Sequence, residues 1–333
     1  MSDEHPFATY IRILGKGPNL SRSLTEDESL AATRMLLSGQ ATPMQVGAFL
    51  CLLRVKTETP AEVAGIVRAA RETLVRPSKA GAAELDWPTY AGKSRRLPWF
   101  LPAARLLADN GIRVLLHGDT GHAPDRVHVA ALLDRLGIAQ VHSVPEAESC
   151  LRERAIAYLP LESLQPGLCS LLGLRGELGV RSPLNTALRQ LNPLAAPYQV
   201  IGVAHPGYRD VQRAAAGLLG QPAAAVFKGE GGEAERRPEK PCEVHFLRGG
   251  ATSEETFPAL LPGTTVVEER PLDPRRIAAV WMGTFDDPVA SAAVIGTAAI
   301  ALRLIGRADS SEAADALAAA WWRGRRRTGL AAA

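Results

Sequence analysis

Apolar residues recur at helical spacing through the first 76 residues of the chain. Residues 25–28 (TEDE) and 59–62 (TPAE) both have the Thr-x-x-Glu pattern of a capping box, which begins a helix. Pro43 opens a third helical segment, and Gly39 ends the one before it. No strand pattern interrupts this region. We therefore predict an all-helical domain over residues 1–76.

The pattern changes after a Pro/Gly/Ala-rich linker at residues 77–83, where short apolar runs begin to alternate with helical segments. Alternation of this kind is typical of an α/β layer around a parallel sheet. The sequence therefore predicts a larger α/β domain over residues 83–333, with a mainly parallel central sheet. The predicted strands are 112–116, 199–204, 223–227 and 264–268, and the predicted helices are 101–110, 127–136, 211–219, 287–303 and 310–323.

Composition favours a globular protein outside the membrane. Hydrophobic residues make up 46% of the chain and charged residues 22%, with a net charge of +3. The apolar stretch around 290–302 is shorter than the roughly 20 residues of a membrane span. The N-terminus lacks the features of a signal peptide, and the four cysteines form no C-x-x-C pair. We expect a cytoplasmic protein with no disulfide framework and no metal site.

Three blocks of sequence resemble glycosyltransferase family 3, which includes anthranilate phosphoribosyltransferase. They are LTEDE (24–28), QVGAFL (45–50) and LGVR (178–181), and His117-Gly118 lies where that family has its K-H-G-N motif. The resemblance implies a helical domain, completed by a segment that returns near residues 165–180, beside an α/β domain. It also implies a homodimer formed through the helical domain, and we expect the helix faces that carry Phe49, Leu50 and Leu53 to pair there.

The motifs that carry catalysis in this family are altered. Its Gly-rich diphosphate loop, G-T-G-G-D, is replaced by Thr89, Tyr90, Ala91, Gly92 and Lys93. The K-H-G-N motif reads LHGD at 116–119, and the acidic pair that binds Mg²⁺ falls on 234–235, where only Glu235 is acidic. Such losses resemble the YbiB-like branch of the family. That branch is understood to lack the enzyme activity and to bind nucleic acid without sequence preference.

A basic cluster follows the altered loop. Lys93, Arg95 and Arg96 lie within four residues, near Trp87, Tyr90 and Trp99. Cations interleaved with aromatic rings suit single-stranded nucleic acid, although a solvated surface turn would have the same composition. Further basic residues could extend this cluster into a path for nucleic acid or simply lie on the surface: Arg12, Lys16, Arg22, Arg54 and Lys56. At the C-terminal end, a flexible arm or a basic helix end could be formed by Arg323, Arg325, Arg326 and Arg327.

Three hypotheses follow from the sequence. The first is a homodimeric protein without cofactor that binds nucleic acid, DNA in particular, irrespective of sequence and without transferase activity. The second is a working phosphoribosyltransferase that uses Mg²⁺, with His117 and Arg175 as its catalytic residues, since Arg175 matches the family's anthranilate-contacting arginine. The third is a scaffold for a protein partner. We expect His117 to be structural, because no nucleophile motif accompanies it.

Overall fold

The small helical domain has four helices among the described residues, and three of them begin at a capping box. The computed structural model describes residues 4–78, 81–119, 121, 126–268 and 271–327. Both predicted capping boxes are present, and Thr42 with Gln45 forms a third. A cap of this kind stabilises a helix by about 1 kcal/mol. The helices are α1 (Ala8–Gly15), α2 (Glu26–Leu37), α3 (Pro43–Lys56) and α4 (Pro60–Glu72).

Helices α2 and α4 pack closely because Gly65 has no side chain. A Cβ at Gly65 would lie 2.4 Å from the backbone oxygen of Glu26. The helical core also includes Leu168, Leu172 and other residues from a later part of the chain, so residues 161–191 return to this domain. Phe49, Leu50 and Leu53 are buried in this core. The expectation that these three residues form a dimer face is therefore wrong.

The larger domain has an eight-stranded sheet in the order β3-β4-β2-β1-β5-β6-β7-β8. The first six strands are parallel, and β7 and β8 extend the sheet as an antiparallel hairpin. The fold is thus an all-helical domain plus an α/β domain with a mainly parallel sheet. The strands are β1 (Leu85–Thr89), β2 (Val114–Gly118), β3 (Ala139–Gln140), β4 (Ile156–Pro160), β5 (Tyr198–Val203), β6 (Ala223–Lys228), β7 (Cys242–Arg248) and β8 (Ala251–Phe257).

In the parts of the chain that the structure describes, ten further helices flank the sheet or join the two domains. Helix α13 is long and apolar enough to cross a membrane, but most of it is buried in the main core, as in the centre of a globular domain. The helices are α5 (Phe100–Asp109), α6 (Val144–Arg154), α7 (Leu161–Leu164), α8 (Pro166–Gly173), α9 (Arg175–Leu178), α10 (Leu184–Ala187), α11 (Tyr208–Leu218), α12 (Arg275–Met282), α13 (Pro288–Ile305) and α14 (Ser311–Gly324).

Two predicted elements and one turn differ from expectation. Residues 127–136 form two short 3₁₀ turns rather than a helix, and residues 264–268 pair with no strand among the described residues. The β7–β8 hairpin was not predicted. Its signal was Gly249-Gly250, both at positive φ in the tight turn, as two-residue hairpin turns require.

Candidate functional site

His117 lies at the carboxyl end of β2, inside a buried polar network. Its Nδ1 is 2.9 Å from the Tyr90 hydroxyl, and its Nε2 is 3.2 Å from an Asp86 carboxylate oxygen. The Gln199 amide also donates to Asp86. These hydrogen bonds tie strands β1 and β2 together. Because His117 has no exposed surface, it has no access to a substrate. Burial raises the pKa of Tyr90 well above its ordinary value.

The altered loop after β1 already has a ligand from its own chain. Oε1 of Glu233 accepts hydrogen bonds from the backbone N–H groups of Ala91 and Gly92, both at 2.7 Å. Arg126 donates to the carbonyl oxygens of the same two residues. Glu233 reaches the loop because Gly202 on β5 has no side chain, and a Cβ there would lie 2.2 Å from the Glu233 backbone. The donors of this loop are therefore satisfied internally.

A buried ion cluster lies beneath the loop. The Lys93 ammonium is 2.6 Å from Glu235 and 3.3 Å from Glu230, and it is 1% exposed. Arg96 pairs with Glu230 at 2.7 Å, and Glu235 also accepts the Phe100 N–H at the start of α5. Burial raises the pKa of Glu235, although Lys93 opposes the shift. Burial also acts to raise the pKa of Glu230, but the charges of Lys93 and Arg96 outweigh it, so the pKa of Glu230 is lowered.

These contacts correct two sequence-based expectations. Lys93 and Arg96 are ion-paired in the interior and do not present their charges to a polyanion. Trp87, Tyr90 and Trp99 are buried, so their rings offer no surface for base stacking.

An open cavity of about 430 Å³ lies above this cluster at the carboxyl edge of the sheet. Arg95, from the predicted basic cluster, lines it with a side chain 68% exposed and 3.2 Å from Glu268. We call this cavity above the ion cluster the outer cavity. Its described lining holds the carboxylates of Glu230 and Glu268 and six cations: Lys93, Arg95, Arg96, Arg126, Lys228 and Arg237. Four of these cations are already ion-paired, Lys93 and Arg96 with Glu230, Arg95 with Glu268 and Arg237 with Glu239.

A second cavity, of about 220 Å³, lies between the two domains and shares Ala204 with the outer one. We call it the inner cavity, and the two together the basic groove. Arg54 from α3 meets Arg181 and Arg189 there, and no carboxylate is among its described lining residues. Tyr208 lines the same cavity, accepts a hydrogen bond from Arg54 and donates one to Glu58.

Positive charge is concentrated around Arg181. Burial lowers the pKa of this guanidinium, and the charges of Arg126, Arg175, Arg189 and Arg54 lower it further. Four arginines therefore repel Arg181 at the junction of the domains, and a bound anion would relieve this repulsion. The sequence analysis identified Arg54 and Arg175. It missed Arg126, Arg181 and Arg189 as members of one cluster, although LGVR at 178–181 had pointed to the region.

The remaining predicted basic residues of the helical domain do not line the basic groove as described. Arg12 is ion-paired with Glu4, and Arg22 lies 2.6 Å from Glu28. Lys56 donates to Ser21. Lys16 is exposed at the end of α1.

The C-terminal arginines are partly docked, which corrects the expectation of a free arm. Arg325 stacks on the Trp322 ring at 3.5 Å and donates to the carbonyl oxygens of Val280 and Trp281 at the end of α12. Burial lowers its pKa to about 10. Arg323, Arg326 and Arg327 remain exposed.

Comparison with known proteins finds similarity to anthranilate phosphoribosyltransferases. Residues 8–74 match the family described as glycosyl transferase family, helical bundle domain. The chain is 30% identical over 310 residues to the anthranilate phosphoribosyltransferase of Moorella thermoacetica, covering 89% of this chain and 88% of the relative. It is 32% identical over 231 residues to that of Desulfitobacterium hafniense, covering 69% and 68%.

Solved structures show the same fold. Anthranilate phosphoribosyltransferase from Thermus thermophilus superposes with a TM-score of 0.77 at 23% identity, covering 95% of this chain and 94% of that one. The Saccharomyces cerevisiae enzyme in complex with PRPP and Mg superposes with a TM-score of 0.74 at 16% identity, covering 96% and 94%.

Proposed function

The chain belongs to the anthranilate phosphoribosyltransferase family, and we propose that it keeps the family fold but binds nucleic acid, DNA in particular, without sequence preference and without transferase activity. The single observation that supports binding best is the cluster of arginines around Arg181. Membership of the YbiB-like branch is part of the same proposal.

The groove has the charge that a polyanion needs. The net charge of +3 is too small to attract nucleic acid unless the cations are gathered on one face. The inner cavity gathers Arg54, Arg181 and Arg189 with no carboxylate among its described lining residues, and the adjoining outer cavity adds Arg126 and Lys228. Arginine is well suited to this role because its planar guanidinium binds phosphate through two parallel hydrogen bonds.

The contacts beneath the groove argue against use of Mg²⁺ and a diphosphate. Glu235 is committed to Lys93 and the Phe100 N–H, and Ala234 supplies no carboxylate beside it. Magnesium needs oxygen ligands that are free to coordinate it. The loop N–H groups that would approach a diphosphate are bound by Glu233. The residues present therefore do not fit the magnesium diphosphate site of the family.

Binding should not depend on sequence, because contacts to phosphate fix position and carry no base information. Among the described lining residues of the inner cavity, only Tyr208 and His205 carry aromatic rings, and the Tyr208 hydroxyl is already hydrogen-bonded. We therefore infer that phosphate contacts dominate over base stacking. The affinity should then fall steeply with salt, with a log–log slope of about −0.7 to −0.9 per phosphate contacted.

Charge reversal within the groove tests this function. We expect Arg181→Glu to weaken binding of a mixed-sequence DNA oligonucleotide at least about tenfold at low salt, and to make the salt slope less steep by about one or two contacts. Arg152→Glu, on the exposed surface of α6, makes the same change in net charge and should leave affinity within about twofold. Fluorescence anisotropy across a salt series measures both quantities.

Two results would overturn the proposal. Equal affinity and slope for the parent and Arg181→Glu would remove the groove from the binding surface. Consumption of anthranilate by the parent, dependent on both phosphoribosyl diphosphate and Mg²⁺, would show that transferase activity is retained.

We also propose a homodimer through the helical domain, on a different face of α3 from the one first expected. Met44 and Val55 are 85% and 82% exposed, and with Ala48 and Cys51 they follow one helical stripe. Apolar side chains exposed to this extent in a row mark a contact surface.

Substitution on this stripe tests the dimer. Val55→Asp should convert the dimer to a monomer in light scattering at micromolar concentration. Leu218→Asp, at an exposed apolar position outside this domain, is the matched control and should remain dimeric. A parent protein that is already monomeric under these conditions would contradict the proposal.

A further inference from the structure

We propose that a cavity at the opposite edge of the sheet from the basic groove binds a small organic anion with a flat apolar body. This cavity, of about 580 Å³, lies at the amino ends of β5 and β6. Its walls come from the end of α4 with residues 74–77, from residues 192–196, and from residues 219–222. It therefore lies where the helical and α/β domains meet, and its volume is within the usual range of small-molecule sites.

Arg71 supplies the anchor for the anion. Its Nε donates to the carbonyl oxygen of Leu191 at 2.9 Å, and its Nη2 donates to that of Gln190 at 2.8 Å. These two bonds fix the guanidinium at the wall of the cavity, and no ion pair of Arg71 is found among the described residues. Arg71 is partly buried, and burial lowers its pKa; the charge of Asp86 opposes this shift, and that of Arg68 adds to it. An anionic ligand would supply the missing countercharge.

The other charges around the cavity leave it positive. Arg76 lies exposed on its lining, whereas the one acidic lining residue, Glu72, is 2.5 Å from Arg34. Arg68 is ion-paired with Glu26 and donates to the Leu218 carbonyl oxygen. Arg71 and Arg76 are thus the two cations left for a ligand.

The remaining walls define the body of the ligand. Leu74, Val75, Leu219 and three prolines present apolar surface, which suits a flat hydrophobic group. The polar amides nearby, Asn192 and Gln221, hydrogen-bond to each other and to backbone carbonyls. These two amides therefore have few hydrogen-bonding groups left to bind a polar ring. Recognition therefore rests on an anionic head and an apolar shape.

The cavity is also lined by strained backbone. Asn192 and Ala195 have φ of 39° and 50°, and they are two of the four non-glycine residues with positive φ in the described parts of the chain. Strain of this kind persists where the surrounding structure enforces it, and it is concentrated at ligand sites.

Calorimetry with 1-naphthyl phosphate tests the proposal, in a protein that also carries Arg181→Met so that the basic groove contributes less to anion binding. We expect this probe to bind at least about tenfold more tightly than 1-naphthol, which lacks the anion, or inorganic phosphate, which lacks the body. 1-Naphthoate distinguishes a carboxylate from a phosphate head, and binding of either one supports the site.

Two substitutions assign the binding to this cavity. Arg76→Ala, at an exposed position, should weaken binding of the probe at least about fivefold. Arg71→Met should weaken it further. Arg113→Met is the matched control, because Arg113 also donates to two carbonyl oxygens but lies outside the cavity. Binding no tighter than that of phosphate or naphthol overturns the proposal, as does binding that Arg76→Ala and Arg71→Met leave unchanged.

Discussion

Glu233 is the residue whose removal most directly tests the reasoning about the altered loop. It is fully buried, and one of its oxygens accepts both the Ala91 and Gly92 N–H groups at 2.7 Å, while Oε2 has no hydrogen-bond partner among the described residues. Hydrogen bonds to a charged group contribute roughly 1.5–3 kcal/mol each. Glu233→Ala leaves both donors buried and unsatisfied, so the free energy of unfolding should fall by about 3 kcal/mol or more.

Glu233→Gln separates the charge from the hydrogen bonds. The amide oxygen still accepts from both N–H groups, but neutral bonds are roughly half as strong as charge-assisted ones. The loss of stability should therefore be about half of that for alanine. Glu177→Ala, on the exposed surface of α9, serves as the control and should stay within about 0.5 kcal/mol of the parent.

The assay is urea denaturation with and without inorganic pyrophosphate. In Glu233→Ala the two freed N–H groups, with the buried Arg189 charge close by, form an anion site, so pyrophosphate should stabilise this variant. Ligand at 100 times its Kd adds about 2.7 kcal/mol. In the parent, Glu233 competes for the same donors, and the effect should be smaller.

Two outcomes would refute this reasoning. A loss of less than about 1 kcal/mol in Glu233→Ala would mean that the carboxylate does not hold the loop. Equal stabilisation of parent and variant by pyrophosphate would mean that the anion binds elsewhere, the basic groove included, and that Glu233 does not occupy an anion site.

Two further predictions concern ion pairs. Lys93→Met leaves Glu230 and Glu235 without their shared cation, so it should cost about 3–5 kcal/mol in chemical denaturation yet leave the DNA affinity of the folded protein unchanged; weaker binding at full stability would contradict its burial. The Arg22 hydrogen bond, opposed by burial and aided by the Thr25 N–H, lowers the pKa of Glu28 to about 2 from 4.5. The ionised Glu28 carboxylate contributes about 1 kcal/mol to the free energy of unfolding after solvent screening, and this contribution is complete above pH 4.5 and lost as pH falls towards 2. Glu28→Gln should therefore flatten the dependence of stability on pH between pH 5 and pH 3. An unchanged pH dependence would exclude this pair.

The sequence by itself determined the secondary-structure elements that depend on interactions between residues close together in the chain. The threonine caps at positions 25 and 59 were visible because a capping box is complete within four residues. The helical domain, the alternating strands and helices after it, and the parallel sheet followed from periodicity in the same way. The missed β7–β8 hairpin also had a local signal in Gly249-Gly250.

Tertiary structure alone decided which charges face solvent. Lys93, Arg95 and Arg96 look equivalent in the sequence, yet Arg95 is 68% exposed while the other two are buried against Glu230 and Glu235, more than 130 residues away. No local pattern could indicate this, because the buried cations need partners that only the fold brings close.

The same reason explains the candidate sites. Arg54 and Arg126 lie far along the chain from each other and from Arg181 and Arg189, and the junction of the two domains gathers the four into one cluster. The sequence determined that this family's diphosphate loop had been altered. That Glu233 takes the place of an anion on that loop follows only from the packing of residues 229–235 against Gly202.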